Sequence, residues 1–197
     1  MKNYPIVAKQ LFKPEIHSAI KEFITTKIPL MPLAVDEKDF IRTYVHNPSF
    51  FVKIHHQLTD FASEQFGEKV KPSYCFLSMY KENGICPLHV DRPQCRYTID
   101  YLIQSTHPGP WPIHIGHHLT EIEVEHINDK NMGNPQNDED INMIIDRENW
   151  STVLLDENDA VLYSGTHSWH YRSDRLQGTA DLVFFHFVPE AFDGPLD

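Results

Sequence analysis

PSYCFLSMYKENGICPLHVD, residues 72–91, is the stretch on which the reading of the fold turns. It opens with a short aromatic segment, residues 73–80, of the kind that fits a pleated, half-buried surface. It closes on His89-Val90-Asp91. Outward from it the same texture recurs at residues 96–103 (RYTIDYLI), 111–115 (WPIHI), 151–155, 160–164, 168–172 and 179–188. Many short strands after a helical lead predict a mainly β fold with α, an antiparallel jelly roll or sandwich preceded by N-terminal helices. The sequence carries no internal repeat.

The lead, residues 1–71, reads as helical and packs on a core formed by residues 72–197, a single domain overall. Residues 14–27 place Ile16, Ile20, Phe23 and Ile24 on one helical stripe. Residues 36–44 are a short helix candidate. Asn47-Pro48 opens a longer helix, with Phe51, Ile54, Leu58 and Phe61 at three- and four-residue steps and Gly67 as its stop. Residues 125–149 stand apart, with six Asn, seven acidic and two basic residues. They read as a long surface loop, or more sharply as a lid over a site.

The 197 residues, 41% of them hydrophobic, supply one packed core. No apolar run approaches the ~20 residues of a membrane span, and residues 1–10 contain no apolar secretory segment. The net charge of −11 disfavours a general nucleic-acid binder. That charge is concentrated in residues 72–197, which carry a net −13 against +2 in residues 1–71. An anionic ligand there needs a dedicated cation. The cysteines, Cys75, Cys86 and Cys95, form neither an even-numbered disulfide framework nor a CxxC zinc pair. Free buried thiols and a reducing, cytoplasmic setting are expected.

Chemistry enters with His89 and Asp91. Residues two apart on a strand point the same way, so an imidazole and a carboxylate can grip one metal ion from one face. A third ligand is needed. His170, after a turn, a strand and a bend, is the natural choice, and His167 is its rival. Two histidines and a carboxylate form the facial triad that holds Fe(II) with positions left open for reactants. The pairs His55-His56 and His117-His118 diverge too much to chelate, His114 and His186 read as strand histidines, and Trp169 as core. No GxSxG, P-loop or Rossmann glycine pattern is present.

In this order and spacing, residues 72–188 resemble the Fe(II)- and 2-oxoglutarate-dependent dioxygenases, in their prolyl-hydroxylase-like branch. The carrying pieces are Tyr80 to Gly84 leading to His89-Val90-Asp91, then residues 96–102, residues 109–112 (GPWP), residues 159–163 (DAVLY), His170-Tyr171-Arg172, and Gly178 heading residues 184–188. The resemblance implies a double-stranded β-helix with iron in its mouth. It also implies Fe(II), 2-oxoglutarate and O2 as cofactor and cosubstrates, and His89, Asp91 and His170 as iron ligands. Tyr80 matches a tyrosine that contacts 2-oxoglutarate, and Tyr101 a second one with its register off by one. Asp91 stands where related halogenases carry a small residue, which favours hydroxylation.

One departure matters. The branch places a Lys or Arg about ten residues after the second histidine for the distal carboxylate of 2-oxoglutarate. This sequence has Gly178-Thr179-Ala180-Asp181. Arg172, then Arg175, then Arg96 are the candidates to replace it. The expected activity is hydroxylation of a C–H bond of a small molecule. The acidic segment, if it covers the mouth, points to a cationic substrate such as a basic amino acid. A cupin-like metal-binding module without 2-oxoglutarate turnover is the alternative, and a protein–protein adaptor built on the acidic segment a more distant one.

Overall fold

Alternation along the two longest strands sets the architecture. In β4 (Val70–Tyr80) and β11 (Ala180–Pro189) successive side chains leave on opposite faces. The strands pair antiparallel, with Ala180 opposite Tyr80 and Phe184 opposite Phe76. Cys75, Leu77, Val183 and Phe185 enter an apolar core on one side. Phe76, Tyr80, Phe184 and His186 line a cavity on the other.

The computed structural model describes residues 4–129, 132–172 and 174–197. Within them β4 and β11 belong to a seven-stranded sheet. Its order is β1 (Ile6–Ala8), β9 (Ala160–Tyr163), β6 (Tyr97–Ser105), β11, β4, β3 (Arg42–His46) and β2 (Ala34–Asp36), with every pair antiparallel. A four-stranded antiparallel sheet, β5 (Cys86–His89), β10 (His170–Arg172), β7 (Ile113–Ile115) and β8 (Ser151–Val153), lies across it. The two meet where Tyr80, Leu102, Tyr163 and Leu182 pack against Ile113, Ile115 and Val153. The result is a mixed α/β molecule with a jelly-roll-like core. No helix among the described residues is long and apolar enough to cross a membrane.

The outer face of the large sheet is covered by α1 (Pro14–Thr26), α2 (Ser49–Gln57) and α3 (Thr59–Phe66). Ile20, Ile24, Phe51, Ile54, Leu58 and Phe66 pack on Leu77, Ile99, Ile103, Leu162, Phe185 and Phe187. Each such side chain contributes about 1.5–3 kcal/mol on full burial, so this layer is the main apolar source of stability. The predicted stripe of α1 is present in Ile20, Phe23 and Ile24, while Ile16 is exposed at the start of the helix. The second predicted helix is interrupted at Leu58 and ends at Gly67, whose φ of 79° is the left-handed geometry of a helix stop.

Two expectations need correction. Residues 36–44 are not helical: β2 ends at Asp36, whose Oδ1 accepts from the N–H groups of Lys38, Asp39 and Phe40, and the chain turns back as β3. The polar side chains Arg42 and His46 alternate with Thr43 and Val45 because one face of β3 meets a polar cavity. Nor is the acidic segment a loop. It forms α4 (Glu121–Asp129) and α5 (Asp138–Arg147), the latter capped by Asn137, whose side chain accepts from the Asp140 N–H. Val124, Ile127, Ile141, Ile144 and Ile145 recur at helical steps and pack around Trp169 and Trp150, although acids and amides dominate the composition. Lys130 and Asn131 of this segment lie outside the described residues.

His55 on α2 is 2% exposed and sits against the rings of Phe185 and Phe187, at 5.5 and 4.5 Å. Burial, reinforced by His186, pushes its pKa down to about 3. The unfolded chain therefore takes up a proton at His55 that the folded one refuses between about pH 6.5 and pH 3, and stability falls as pH falls through that window. Replacing His55→Leu should flatten the decline by as much as ~1.4 kcal/mol per pH unit, read from urea unfolding at pH 7 and pH 5. Identical pH slopes for both proteins would contradict the assignment.

Candidate metal centre

Strands β5 and β10 pair so that His170 stands opposite His89. Asp91 follows two residues beyond His89, its N–H bonded to the carbonyl of Gly165 at 2.9 Å. A side chain at 165 would overlap the Asp91 carboxylate, so glycine is required by this close approach. Asp91 Oδ1 lies 3.5 Å from His89 Nε2 and 3.8 Å from His170 Nε2, and the two imidazole centroids are 4.2 Å apart. One donor atom from each of the three residues falls within 4.8 Å of the others.

The tautomers follow from the backbone. His89 Nδ1 is 2.7 Å from the Pro87 carbonyl oxygen and His170 Nδ1 is 3.0 Å from that of Ser168. A carbonyl only accepts, so each Nδ1 carries a hydrogen and each ring is left to present its Nε2 toward the point it shares with Asp91. This is the arrangement in which a metal-ligating histidine is oriented by a second hydrogen bond. Burial opposes every charge here, yet His170 and His89 hold Asp91 well below the usual carboxylate range. Burial and the neighbouring His89 push His170 down to about 4. Burial also opposes a charge on His89, whose pKa Cys86 and Asp91 nevertheless raise. Two imidazole nitrogens and one carboxylate converging from a buried wall fit a divalent transition metal such as Fe(II).

The triad opens into a cavity of about 270 Å³ between the sheets. It continues into an outer hollow of about 430 Å³ that shares Tyr74, His89 and Asp91 and is bounded by Asn128, Gly133 and Asn134 of the α4–α5 segment. Tyr80 lines the inner cavity, as the sequence suggests. So does Arg172, whose Nη2 meets Asp100 Oδ2 at 2.9 Å and whose Nη1 donates to the Trp111 carbonyl at 2.6 Å. His167 is not with the triad. It touches Arg96 and lies 3.1 Å from Glu121, and Arg96 pairs with the same carboxylate at 3.1 Å, outside the cavity. Arg175 is exposed and donates to the Asn83 carbonyl. Tyr101 belongs to the opposite face of β6, where its hydroxyl meets His17 and Asn158, because Asp100 and Leu102 take the inward positions.

Sequence reasoning missed Asp100, Arg42 and Arg92, which also line the cavity. Asp100 is fully buried, its pKa lifted by burial against the pull of Arg172. The alternation Phe40, Arg42, Tyr44, His46 was the available signal for Arg42.

The fold is shared with solved non-heme 2-oxoglutarate-dependent oxygenases. The carbocyclase SnoK of nogalamycin biosynthesis matches with a TM-score of 0.72 and 10% identity, over 95% of this chain and 80% of that one. A Pseudomonas putida prolyl-4-hydroxylase matches with a TM-score of 0.62 and 8% identity, over 96% and 95% of the two chains. HygX from Streptomyces hygroscopicus, solved with nickel, 2-oxoglutarate and hygromycin B bound, matches with a TM-score of 0.60 and 12% identity, over 96% and 84%. No family model matches the sequence, and no curated protein sequence matches it.

The geometry makes a sharp distinction between the two rival histidines. His170→Ala, like His89→Ala or Asp91→Ala, should weaken Fe(II) binding more than ~100-fold in anaerobic equilibrium dialysis, beyond the loss that outer-shell changes give. His167→Ala should leave it within about twofold. Full iron occupancy in the His170→Ala protein would remove that residue from the ligand set.

Proposed function

We propose that this protein is an Fe(II)- and 2-oxoglutarate-dependent oxygenase that hydroxylates a C–H bond of a small molecule. The observation that carries the reading is the convergence of His89, Asp91 and His170 at a cavity between the sheets of a fold that such oxygenases share. We read the strands from β4 to β11 as a double-stranded β-helix spanning residues 72–197; from residues 1–71, β1, β2 and β3 extend its large sheet and α1, α2 and α3 pack on the outer face, all in one domain. The three free, buried cysteines support a reducing, cytoplasmic setting.

In this reading His89 and His170 bind iron through Nε2 and Asp91 through its carboxylate. Bound there with 2-oxoglutarate and O2, the iron supplies the oxidant for the C–H bond, and 2-oxoglutarate leaves as succinate and CO2. The chain's own work is positional. The Pro87 and Ser168 carbonyls fix the two rings, and the Gly165 carbonyl fixes the Asp91 backbone. Tyr163, Ile113 and Phe184 wall the cavity and limit water beside the reacting centre. The Val90 N–H, between His89 and Asp91, donates to the Gly133 carbonyl at 2.9 Å, which ties the α4–α5 segment to the metal wall as a cover.

The reading of a cationic substrate rests on this acidic segment. Of its described residues, Ile127, Asn128, Gly133 and Asn134 border the outer hollow, and Glu121, Val124 and Asn128 border a neighbouring hollow that Asp91 also lines. The cupin-like alternative draws on one observation, the absence of a cation at residues 178–181.

A succinate assay with Fe(II), 2-oxoglutarate and air, run across a library of small molecules, separates the two. The oxygenase reading expects substrate-stimulated succinate that disappears in Asp91→Ala. Iron uptake by the wild-type protein without any consumption of 2-oxoglutarate would support the metal-binding module instead.

A further inference from the structure

Three guanidinium groups line the cavity, those of Arg42, Arg92 and Arg172. They differ in what already neutralises them. Arg172 is 4% exposed, and its charge is matched by Asp100, itself at 0% exposure. Its second terminal nitrogen is used by the Trp111 carbonyl. Asp100 Oδ1 is buried with no hydrogen-bond partner among the described residues. A carboxylate approaching Arg172 therefore meets a neutralised pair with a spare acceptor beside it, which repels a second anion. Arg92 is exposed at the mouth and donates to the Tyr74 hydroxyl at 3.2 Å.

Arg42 is different. No carboxylate lies within ion-pair distance of it among the described residues, and its Nε is buried without a partner. Its Nη1 donates to Ser78 Oγ at 3.2 Å and to the Tyr80 hydroxyl at 3.4 Å. Both hydroxyls accept from the guanidinium, so their own hydrogens are free to donate to a third group. The guanidinium lies 3.9 Å from the ring centre of Phe40 and 4.9 Å from that of Phe76, a partly apolar setting that strengthens its pull on an anion.

The strand register completes the picture. Arg42 stands opposite Tyr80 on β4, and Tyr80 stands opposite Ala180 on β11. Ala180 lies in the stretch where the sequence lacks its expected cation. The charge is thus restored in the same row, two strands away.

Resting on the oxygenase reading, we propose that Arg42, with the hydroxyls of Ser78 and Tyr80, holds the distal carboxylate of 2-oxoglutarate, and that the Arg172–Asp100 pair does not. Arg42 comes from the N-terminal part of the chain, so residues 1–71 contribute directly to the cosubstrate site.

The test is anaerobic calorimetry on the Fe(II)-loaded full chain with two ligands, 2-oxoglutarate and 2-oxopentanoate, which lacks the distal carboxylate. The wild-type protein should prefer 2-oxoglutarate. Arg42→Met should weaken 2-oxoglutarate roughly 10- to 100-fold, the range for losing a hydrogen-bonded charge. It should leave 2-oxopentanoate and Fe(II) affinity unchanged. Arg42→Lys should recover part of the preference, and Tyr80→Phe should lose several-fold of it without touching 2-oxopentanoate. The paired change Asp100→Asn with Arg172→Gln should keep the preference. An Arg42→Met protein that still prefers 2-oxoglutarate, or loss of the preference only in the Asp100/Arg172 variant, would overturn the assignment. Failure of the iron-loaded wild-type protein to bind either oxo acid would instead overturn the oxygenase reading, and this proposal with it.

Discussion

Everything at the candidate centre depends on the antiparallel pairing of β5 with β10. That pairing sets His170 opposite His89, and the Gly165 carbonyl holds the backbone of Asp91, just beyond the end of β5, where its carboxylate meets both rings. Both imidazoles are oriented by the backbone as well as by their neighbours. Each donates Nδ1–H to the carbonyl two residues before it. The candidate ligand set is therefore supported by backbone geometry.

A second constraint is the two-sidedness of the large sheet. Its outer face is sealed by α1, α2 and α3, while its inner face has to accommodate charge between two sheets. Burying ions is costly unless they are paired. Asp100 and Arg172 meet that condition with each other, and the triad meets it among its own members. Arg42 is the exception, with hydroxyls and ring faces around it in place of a carboxylate. An uncompensated guanidinium in such a place is stabilised when an anion arrives, which links the least satisfied charge of the cavity to its ligand chemistry.

Much of this was legible in the sequence. His89 and Asp91 were readable as a pair from their two-residue spacing, although β5 ends at His89 and the Gly165 carbonyl holds Asp91 just beyond it. The strands at residues 73–80, 96–103, 160–164 and 179–188 were readable from aromatic and β-branched texture. The choice of His170 over His167 was not fixed by local pattern, since it depends on which residue of the bend meets β5. Tyr101 failed for a reason of parity: a one-residue uncertainty in β6 exchanges the cavity face for the helix face, and the structure gives the cavity to Asp100. Arg42 was hidden because residues 36–44 resemble a helix start until the Asx turn at Asp36 is known. The helices α4 and α5 were hidden by their acids, which occupy the solvent side while five well-spaced apolar residues meet Trp169 and Trp150.

The central claim is that one iron ion and one 2-oxoglutarate share the cavity at His89, Asp91 and His170. Anaerobic visible absorption tests it most directly, because the ligand's oxo acid group must contact the metal for a charge-transfer band to appear. The account predicts a band that requires Fe(II) and 2-oxoglutarate together, saturates at one equivalent of each, and is lost on aerobic exposure as 2-oxoglutarate is consumed. Tight binding of Fe(II) with a spectrum indifferent to 2-oxoglutarate would contradict it.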